Sequence, residues 1–234
     1  MESELESLTD ETIPGAAATV VLLRDGELGL EVLLAERPHD RGSYAGAWVF
    51  PGGAVDAEDA AGSRTPLDAA RTAAVRETRE EIGLTLDPRE LVPFSQWTPP
   101  RGAPKQLRTT FFAVRVPDGE IRPAPDEVVA VAWLRPVDAL ERHAAGEMTL
   151  WPPTWVTLHG LARAASVDEA LDELRRGEVR PYVARRLRDG SMVLWQEDDE
   201  YDAETPSIDP GDGDDSKRHR LVMDRLPWVY LHRF

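Results

Sequence analysis

The chain has no cysteine, only two lysines and no long apolar run among its 234 residues. Without cysteine it can form neither a disulfide nor a thiolate metal site. No segment approaches 18 consecutive apolar residues, so we expect no membrane-spanning helix and no membrane partner. The acidic start, Met1 to Ser7, lacks the basic and apolar regions of a secretion signal. Together these absences predict a cytoplasmic protein.

Positive charge is also scarce, since 27 basic residues face 43 acidic ones and the net charge is −16. Such a chain repels a phosphate backbone, so we expect no nucleic-acid partner. Five acidic residues lie within the first eleven positions, and ten lie between 197 and 215 without a basic residue. Runs of one charge sign are usually solvated. We therefore predict a flexible acidic tail over 1–13 and an acidic loop over 197–215.

The strongest chemical signal is the segment Arg76-Glu-Thr-Arg-Glu-Glu-Ile-Gly-Leu84. On a helix that turns about 100° per residue, Glu77, Glu80 and Glu81 fall within an arc of roughly 100°. Each like-charged pair at these spacings costs a few tenths of a kcal/mol. Mg²⁺ or Mn²⁺, which prefer oxygen ligands, would remove that repulsion. The alternative is a charged surface helix, which the upstream Phe50-Pro-Gly-Gly53 makes less favourable.

The segment resembles the signature of Nudix hydrolases, which cleave a nucleoside diphosphate linked to another group. In that signature a glycine and an acidic residue precede Arg-Glu-aliphatic-any-Glu-Glu-any-Gly-aliphatic, and Thr78 here takes the aliphatic position. The resemblance implies that Glu77, Glu80 and Glu81 bind Mg²⁺ or Mn²⁺. The backbone carbonyl of Gly52 is a further implied ligand, because a glycine lets the chain approach a metal closely.

The resemblance also assigns roles in the reaction. Glu77 is the first candidate for the general base. Arg76 lies one turn before Glu80 and is predicted to hold that carboxylate, with an ordinary surface ion pair as the alternative. Asp126 or Glu127, at the opening of a later strand, is predicted to supply a fourth acidic group, with a polar strand edge as the alternative.

The spacing departs from the family pattern in one place. Fourteen residues separate Gly53 from Asp68 where the signature has five, whereas the seven between Asp68 and Arg76 match the signature. We therefore interpret 56–64 as an insertion of about nine residues, and Asp68 as the first acidic residue, with a capping rather than a catalytic role. Taking Gly62 as the signature glycine would restore the spacing but would abandon Pro51-Gly-Gly53.

A second pattern points to one subgroup. Leu33-Leu-Ala-Glu-Arg37, followed by Arg41 and Gly46, is similar to an extra motif of coenzyme A diphosphatases. Ala35, Pro38 and the spacing to Arg41 depart from that motif. The long insertion, and the segment from 150 to 155, resemble the peroxisomal members and their bacterial relatives.

This resemblance implies hydrolysis of coenzyme A or acyl-coenzyme A to 3′,5′-ADP and a 4′-phosphopantetheine. Hydrolysis of ADP-ribose or another nucleoside diphosphate sugar is one alternative, and a non-catalytic binding module is another. The partner is a small nucleotide-derived molecule, and Arg37, Arg41 and Arg108 are candidate phosphate ligands. Family members are commonly dimers, so a homodimer is a possible assembly.

Local signals predict an α/β protein. Segments 16–23, 30–36, 107–116 and 127–134 have strand patterns, and later strands are expected near 191–195, 221–223 and 228–231. Thr65, Pro66 and Gly83 delimit a helix that ends at Ile82. Further helices are predicted at 136–145, 153–164 and 167–175.

With the resemblance, these elements predict a Nudix-type α/β/α sandwich with a mixed sheet and extra C-terminal helices. We assign 14–187 to the Nudix hydrolase domain and 188–234 to a small β-appendage.

Overall fold

The computed structural model describes residues 15–42, 44–207 and 215–234. The acidic tail predicted over 1–13, and positions 208–214 of the predicted acidic loop, lie outside the described residues. Across the described ranges, none of the helices combines the length and apolar character needed to cross a membrane.

The strands of the described chain form one mixed sheet. They are β1 (Gly15–Gly26), β2 (Gly29–Glu36), β3 (Trp48–Val49), β4 (Gly52–Ala54), β5 (Val92–Thr98), β6 (Leu107–Arg115), β7 (Ala130–Leu134), β8 (Arg180–Arg186), β9 (Met192–Trp195), β10 (Arg218–Val222) and β11 (Val229–Arg233). Their order is β11-β10-β9-β8-β5-β6-β1-β2-β3, with β4 beside β1 and β7 beside β2. The pairs β1–β6 and β5–β8 are parallel, and the others are antiparallel.

Helices cover both faces of this sheet. They are α1 (Ala57–Ala61), α2 (Pro66–Ile82), α3 (Pro136–Ala144), α4 (Pro152–Leu161) and α5 (Val167–Arg176). Val20 and Leu22 of β1 pack with Ala73 of α2 on one face. Val21 of β1 shares the opposite apolar cluster with Leu158 of α4. Because alternate strand residues point to opposite faces, β1 serves both cores. The predicted α/β/α sandwich with a mixed sheet is confirmed.

The helix α2 has the ends that its sequence predicts. The Asp68 N–H donates to Thr65 Oγ1 at 3.1 Å, and Pro66 occupies the first turn. At the other end Gly83 has a φ of 78°, where glycine is favoured, and its N–H donates to the Arg79 carbonyl. Local capping therefore fixes where the acidic segment starts and stops being helical.

Some elements differ from the predictions. The strand expected over 127–134 begins only at Ala130, because residues 124–128 form a turn in which the Val128 N–H donates to the Ala124 carbonyl. The strands β5 and β8 and the short helix α1 were not predicted. In β5 the register shifts between Pro93 and Ser95, and this irregularity hides the strand pattern.

The C-terminal strands continue the central sheet. β8 pairs in parallel with β5, and β9, β10 and β11 follow it by antiparallel pairing. β8, which belongs to the first assigned part, and β9, which belongs to the second, are neighbours in this sheet. The division of the chain after residue 187 therefore remains a prediction.

A buried charge network anchors part of the acidic segment to these strands. Arg220 is fully buried, and its guanidinium binds the carboxylate of Asp198, Glu200 Oε2 at 2.9 Å and the Ser207 carbonyl. Asp198 is itself only 4% exposed. The described acidic residues near 198 are therefore partly structural rather than simply solvated.

Replacing Asp198 with alanine should leave a buried guanidinium short of its main partner. We expect the free energy of unfolding to fall by about 3 kcal/mol. Asp199→Ala is the matched control, because Asp199 is exposed and accepts one hydrogen bond from the Lys217 N–H; its loss should be about 1 kcal/mol or less. Urea denaturation followed by tryptophan fluorescence measures both. Equal losses would contradict the anchoring role of Asp198.

Candidate active site

Two glycines bring the strand β4 against the acidic helix. Gly52 has a φ of 151°, and a Cβ there would clash with the Ala18 carbonyl on β1. The Gly52 N–H donates to Glu81 Oε2 at 2.8 Å. A Cβ on Gly53 would overlap the carboxyl group of Glu77. The absence of side chains therefore lets two carboxylates of α2 reach the backbone of β4.

These two carboxyl groups are difficult to ionise together. The pKa of Glu81 is raised to about 7, mainly by burial and also by the charges of Glu77 and Glu127, although the Gly52 N–H and Arg37 oppose the shift. Burial also raises the pKa of Glu77, against the lowering effect of Arg76. Oxygen donors that are buried and repel one another suit a hard cation, which would relieve both costs.

Arg76 holds the carboxylates in place. Its Nη1 donates to Glu77 Oε1 at 2.9 Å and to Glu80 Oε2 at 3.0 Å, so the contact expected with Glu80 is present. Its Nη2 donates to Asp59 Oδ2 at 2.8 Å and to the Ala54 carbonyl at 3.0 Å. Hydrogen bonds to Asp59 are the main cause of a raised Arg76 pKa.

Asp59 is the site residue that sequence analysis missed. It lies on α1, is 4% exposed, and has a lowered pKa chiefly because Arg76 donates to it. Five residues separate it from Gly53, which is the spacing the signature requires. Asp68, by contrast, is only partly buried and lies in the first turn of α2. The extra residues therefore lie between Asp59 and Arg76, and our placement of the insertion at 56–64 is wrong.

The three predicted metal-binding glutamates are not equivalent. Glu77 and Glu81 meet at Gly52–Gly53, whereas the Glu80 side chain is 53% exposed and reaches Glu77 through Arg76. Throughout the described ranges, no three histidine or acidic side chains converge into a complete metal cluster. Metal binding by Glu77, Glu80, Glu81 and the Gly52 carbonyl remains a prediction, although the oxygen-only donor set fits Mg²⁺ or Mn²⁺.

A docked loop places the fourth acidic candidate. The Arg122 N–H donates to the Ile82 carbonyl and the Ala124 N–H to the Glu81 carbonyl, both at 2.8 Å. These bonds attach the loop to the end of α2. Glu127 then lies near enough to raise the pKa of both Glu77 and Glu81.

Asp126 faces elsewhere, since its carboxylate lies 3.8 Å from Arg41 Nη2 and both side chains are largely exposed. Of the two candidates for a fourth acidic group, the geometry favours Glu127.

The three predicted phosphate-binding arginines have different surroundings. Arg37 lines a cavity beside Gly52 and Gly53, and its charge lowers the pKa of Glu81. Its buried Nε has no hydrogen-bond partner in the described part of the chain. Arg41 is exposed and pairs with Asp126. Arg108 lies on β6 on the face opposite to Leu107, which lines the cavity. Of the three, the structure brings Arg37 to the carboxylates.

A cavity of about 800 Å³ opens beside Gly52 and Gly53. Its aromatic lining includes Tyr44 and Trp151, whose rings meet edge to face with centroids 4.5 Å apart. Tyr44 has a φ of 64°, a strained value for a residue other than glycine. Within the described residues, its lining has no acidic side chain but has five basic ones: Arg37, Arg101, Lys105, Arg186 and Arg188. The cavity therefore favours an anionic ligand.

Comparisons with known proteins agree with this geometry. The NUDIX domain family model matches residues 14–152. A NUDIX hydrolase from Alicyclobacillus acidocaldarius is 26% identical, with a TM-score of 0.61 over 70% of this chain and 98% of that chain. No curated protein matches the chain.

The NUDIX domain of NrtR from Shewanella oneidensis, solved with ADP ribose, is 17% identical, with a TM-score of 0.50 over 74% of this chain and 99% of that one. That second likeness shows the fold alone. Because the family match covers more than half of the chain, the protein belongs to the NUDIX family and is a Nudix-type hydrolase of nucleoside diphosphates linked to another group.

Proposed function

We propose that this hydrolase cleaves the diphosphate of coenzyme A or acyl-coenzyme A, giving 3′,5′-ADP and a 4′-phosphopantetheine. The observation that carries the proposal is the basic cavity beside the carboxylates, in a chain whose net charge is −16. Coenzyme A has a diphosphate and a separate 3′-phosphate, so it needs cationic groups in more than one place. The resemblance of the segment from Leu33 to Gly53 to the coenzyme A motif supports the same substrate.

The charge distribution also weighs against the main alternative. ADP-ribose and other nucleoside diphosphate sugars bring a diphosphate but no second phosphate. Arg37, beside Glu81, is suited to the diphosphate. The other four basic lining residues would then have no anionic partner on the substrate, which favours coenzyme A.

The carboxylates account for the metal requirement. Glu77, Glu81 and Glu127, together with Glu80 and the Gly52 carbonyl, would hold Mg²⁺ or Mn²⁺. When bound, such ions lower the pKa of a water molecule and neutralise the diphosphate. Glu77 takes the proton of the attacking water, and Arg76 orients Glu77 and Glu80. Arg37 binds a diphosphate oxygen.

A substrate panel tests this proposal. Coenzyme A, acetyl-coenzyme A and ADP-ribose are incubated with Mg²⁺ or Mn²⁺, and products are identified by mass spectrometry. We expect both coenzyme A and acetyl-coenzyme A to yield 3′,5′-ADP. Their kcat/KM values should be about tenfold or more above that for ADP-ribose. Glu77→Gln serves as the inactive control. Rapid turnover of ADP-ribose without turnover of coenzyme A would reject the proposal.

Glu81→Gln tests the metal assignment through stability. A carboxyl whose pKa is higher folded than unfolded stabilises the fold at low pH, and this contribution is lost as pH rises through the folded value, here about 7. At pH 8 the charged Glu81 therefore opposes folding. Without metal at pH 8, we expect the free energy of unfolding of the glutamine variant to exceed that of the parent protein by roughly 2 kcal/mol. This difference should vanish below about pH 5.

Added Mg²⁺ or Mn²⁺ should raise the melting temperature of the parent protein more than that of Glu81→Gln. For the metal-free stability alone, the control is Glu80→Gln, whose half-exposed side chain should change the free energy of unfolding by about 0.5 kcal/mol or less. An equal thermal response to metal in the parent and the Glu81 variant would contradict a metal-binding role for Glu81.

Asp59→Asn tests the contact that sequence analysis missed. Weakening the Asp59–Arg76 bond should misorient Glu77 and Glu80, and we expect kcat to fall about 10- to 100-fold with little change in KM. Asp68→Asn is the matched control, because Asp68 lies in the first turn of α2 and makes none of the Arg76 contacts. Steady-state kinetics on the best substrate of the panel measures both. Similar kcat values for the two variants would contradict a positioning role for Asp59.

A further inference from the structure

Two basic residues of the cavity come from a part of the chain beyond the family match. Arg186 ends β8 and Arg188 follows it, whereas the NUDIX match ends at residue 152. Both line the cavity together with Arg101 and Lys105 of the β5–β6 connection. In the proposed hydrolysis, neither Arg186 nor Arg188 is assigned to the cleaved diphosphate.

The sheet topology explains why these residues meet the site. β5 and β8 are parallel neighbours, with Thr98 beside Val183, so the segments that leave the two strands emerge at the same sheet edge. Thr109, near the start of β6, pairs with Trp97 of β5 and with Ala17 of β1. Ala17 in turn pairs with β4, which carries the Gly52–Gly53 pair. The basic residues, and the Gly52–Gly53 pair that contacts the carboxylates, therefore lie at the same end of these strands.

The connection after β8 has a defined structure. The Leu187 N–H donates to the Met192 carbonyl at 3.0 Å, and Gly190 takes a φ of 76° in the turn. Arg185 donates to the Tyr201 and Ala203 carbonyls at 2.7 and 2.6 Å. Because strand side chains alternate, Arg186 points to the other face, toward the cavity.

No acidic side chain of the described chain lies within 4.0 Å of Arg186 or Arg188 in an ion pair. The nearest acid in sequence, Asp189, instead accepts hydrogen bonds from the backbone and side chain of Ser191 at 3.0 and 2.7 Å. Two such arginines at a cavity mouth in a strongly acidic protein are suited to a ligand phosphate.

We propose that Arg186 and Arg188 bind a phosphate of the substrate that is not part of the cleaved diphosphate. The inference deepens the proposed function and rests on it, since in coenzyme A this group is the 3′-phosphate. The C-terminal strands would then select substrates that carry this second phosphate, while the carboxylates near Gly52 act on the diphosphate.

The test is the double variant Arg186→Gln/Arg188→Gln in the full chain. Kinetics are measured with coenzyme A and dephospho-coenzyme A, and binding by calorimetry with 3′,5′-ADP and 5′-AMP. We expect KM for coenzyme A and Kd for 3′,5′-ADP to rise about 10- to 100-fold. The values for dephospho-coenzyme A and 5′-AMP, and kcat for both substrates, should stay within about twofold.

The matched control is Arg175→Gln/Arg176→Gln, which removes the same charge from the exposed surface of α5. It should leave all constants within about twofold. Equal losses for ligands with and without the 3′-phosphate, no loss in the double variant, or the same loss in the control would each overturn the inference.

The outcomes separate this inference from the proposed function. If the parent protein binds 3′,5′-ADP better than 5′-AMP and the double variant loses that preference, the phosphate site is supported even when coenzyme A is not hydrolysed. If the parent hydrolyses coenzyme A and the double variant does so with unchanged KM, the phosphate site is rejected and the proposed function stands.

Discussion

The contact between a pair of glycines and two buried carboxylates is the constraint on which the rest of this site depends. Gly52 and Gly53 allow β4 to lie against α2, so that Glu81 accepts a backbone hydrogen bond and Glu77 packs beside the chain. The cost is two acidic groups whose ionisation burial opposes. Such an arrangement is poor as a purely structural device, because apolar side chains would fill the same space more favourably. A cation bound as proposed would offset this cost.

The surrounding elements keep this costly arrangement in register. Asp59 binds Arg76, which in turn binds Glu77 and Glu80. At the far end of α2, the loop that carries Glu127 is attached through the Ile82 and Glu81 carbonyls. Both attachments use backbone or charged groups rather than apolar packing, so the carboxylates are held by directional contacts from two sides. Positioning of this kind is what metal ligands require from their neighbours.

The sequence predicted those parts of the site that local signals determine. Thr65 and Gly83 delimit α2, and the spacing of its glutamates places them on one face whatever packs against it. The partnership between Asp59 and Arg76 could not be assigned in this way, because the spacing alone does not show whether the extra residues precede or follow the acidic residue of the signature. Asp198 and Arg220 were missed for a related reason: an acidic run suggests solvation, whereas its buried member is paired across about twenty positions of chain. Pairings between segments distant in sequence, such as that of β5 with β8, produce no periodic residue pattern from which they could be predicted.

Because β8 pairs in parallel with β5, the C-terminal strands help to line the cavity. Trp97 of β5 stacks on Tyr182 of β8 with ring centroids 3.8 Å apart, and Trp97 and Trp195 both line the cavity. The cavity wall that Trp97 and Trp195 help to form is therefore built from core strands, which are held by backbone ladders and aromatic packing. A substrate with two separated anionic groups could place one group at the carboxylates near Gly52 and the other at the basic residues of the cavity. The negative charge over the rest of the molecule repels anions from other surfaces.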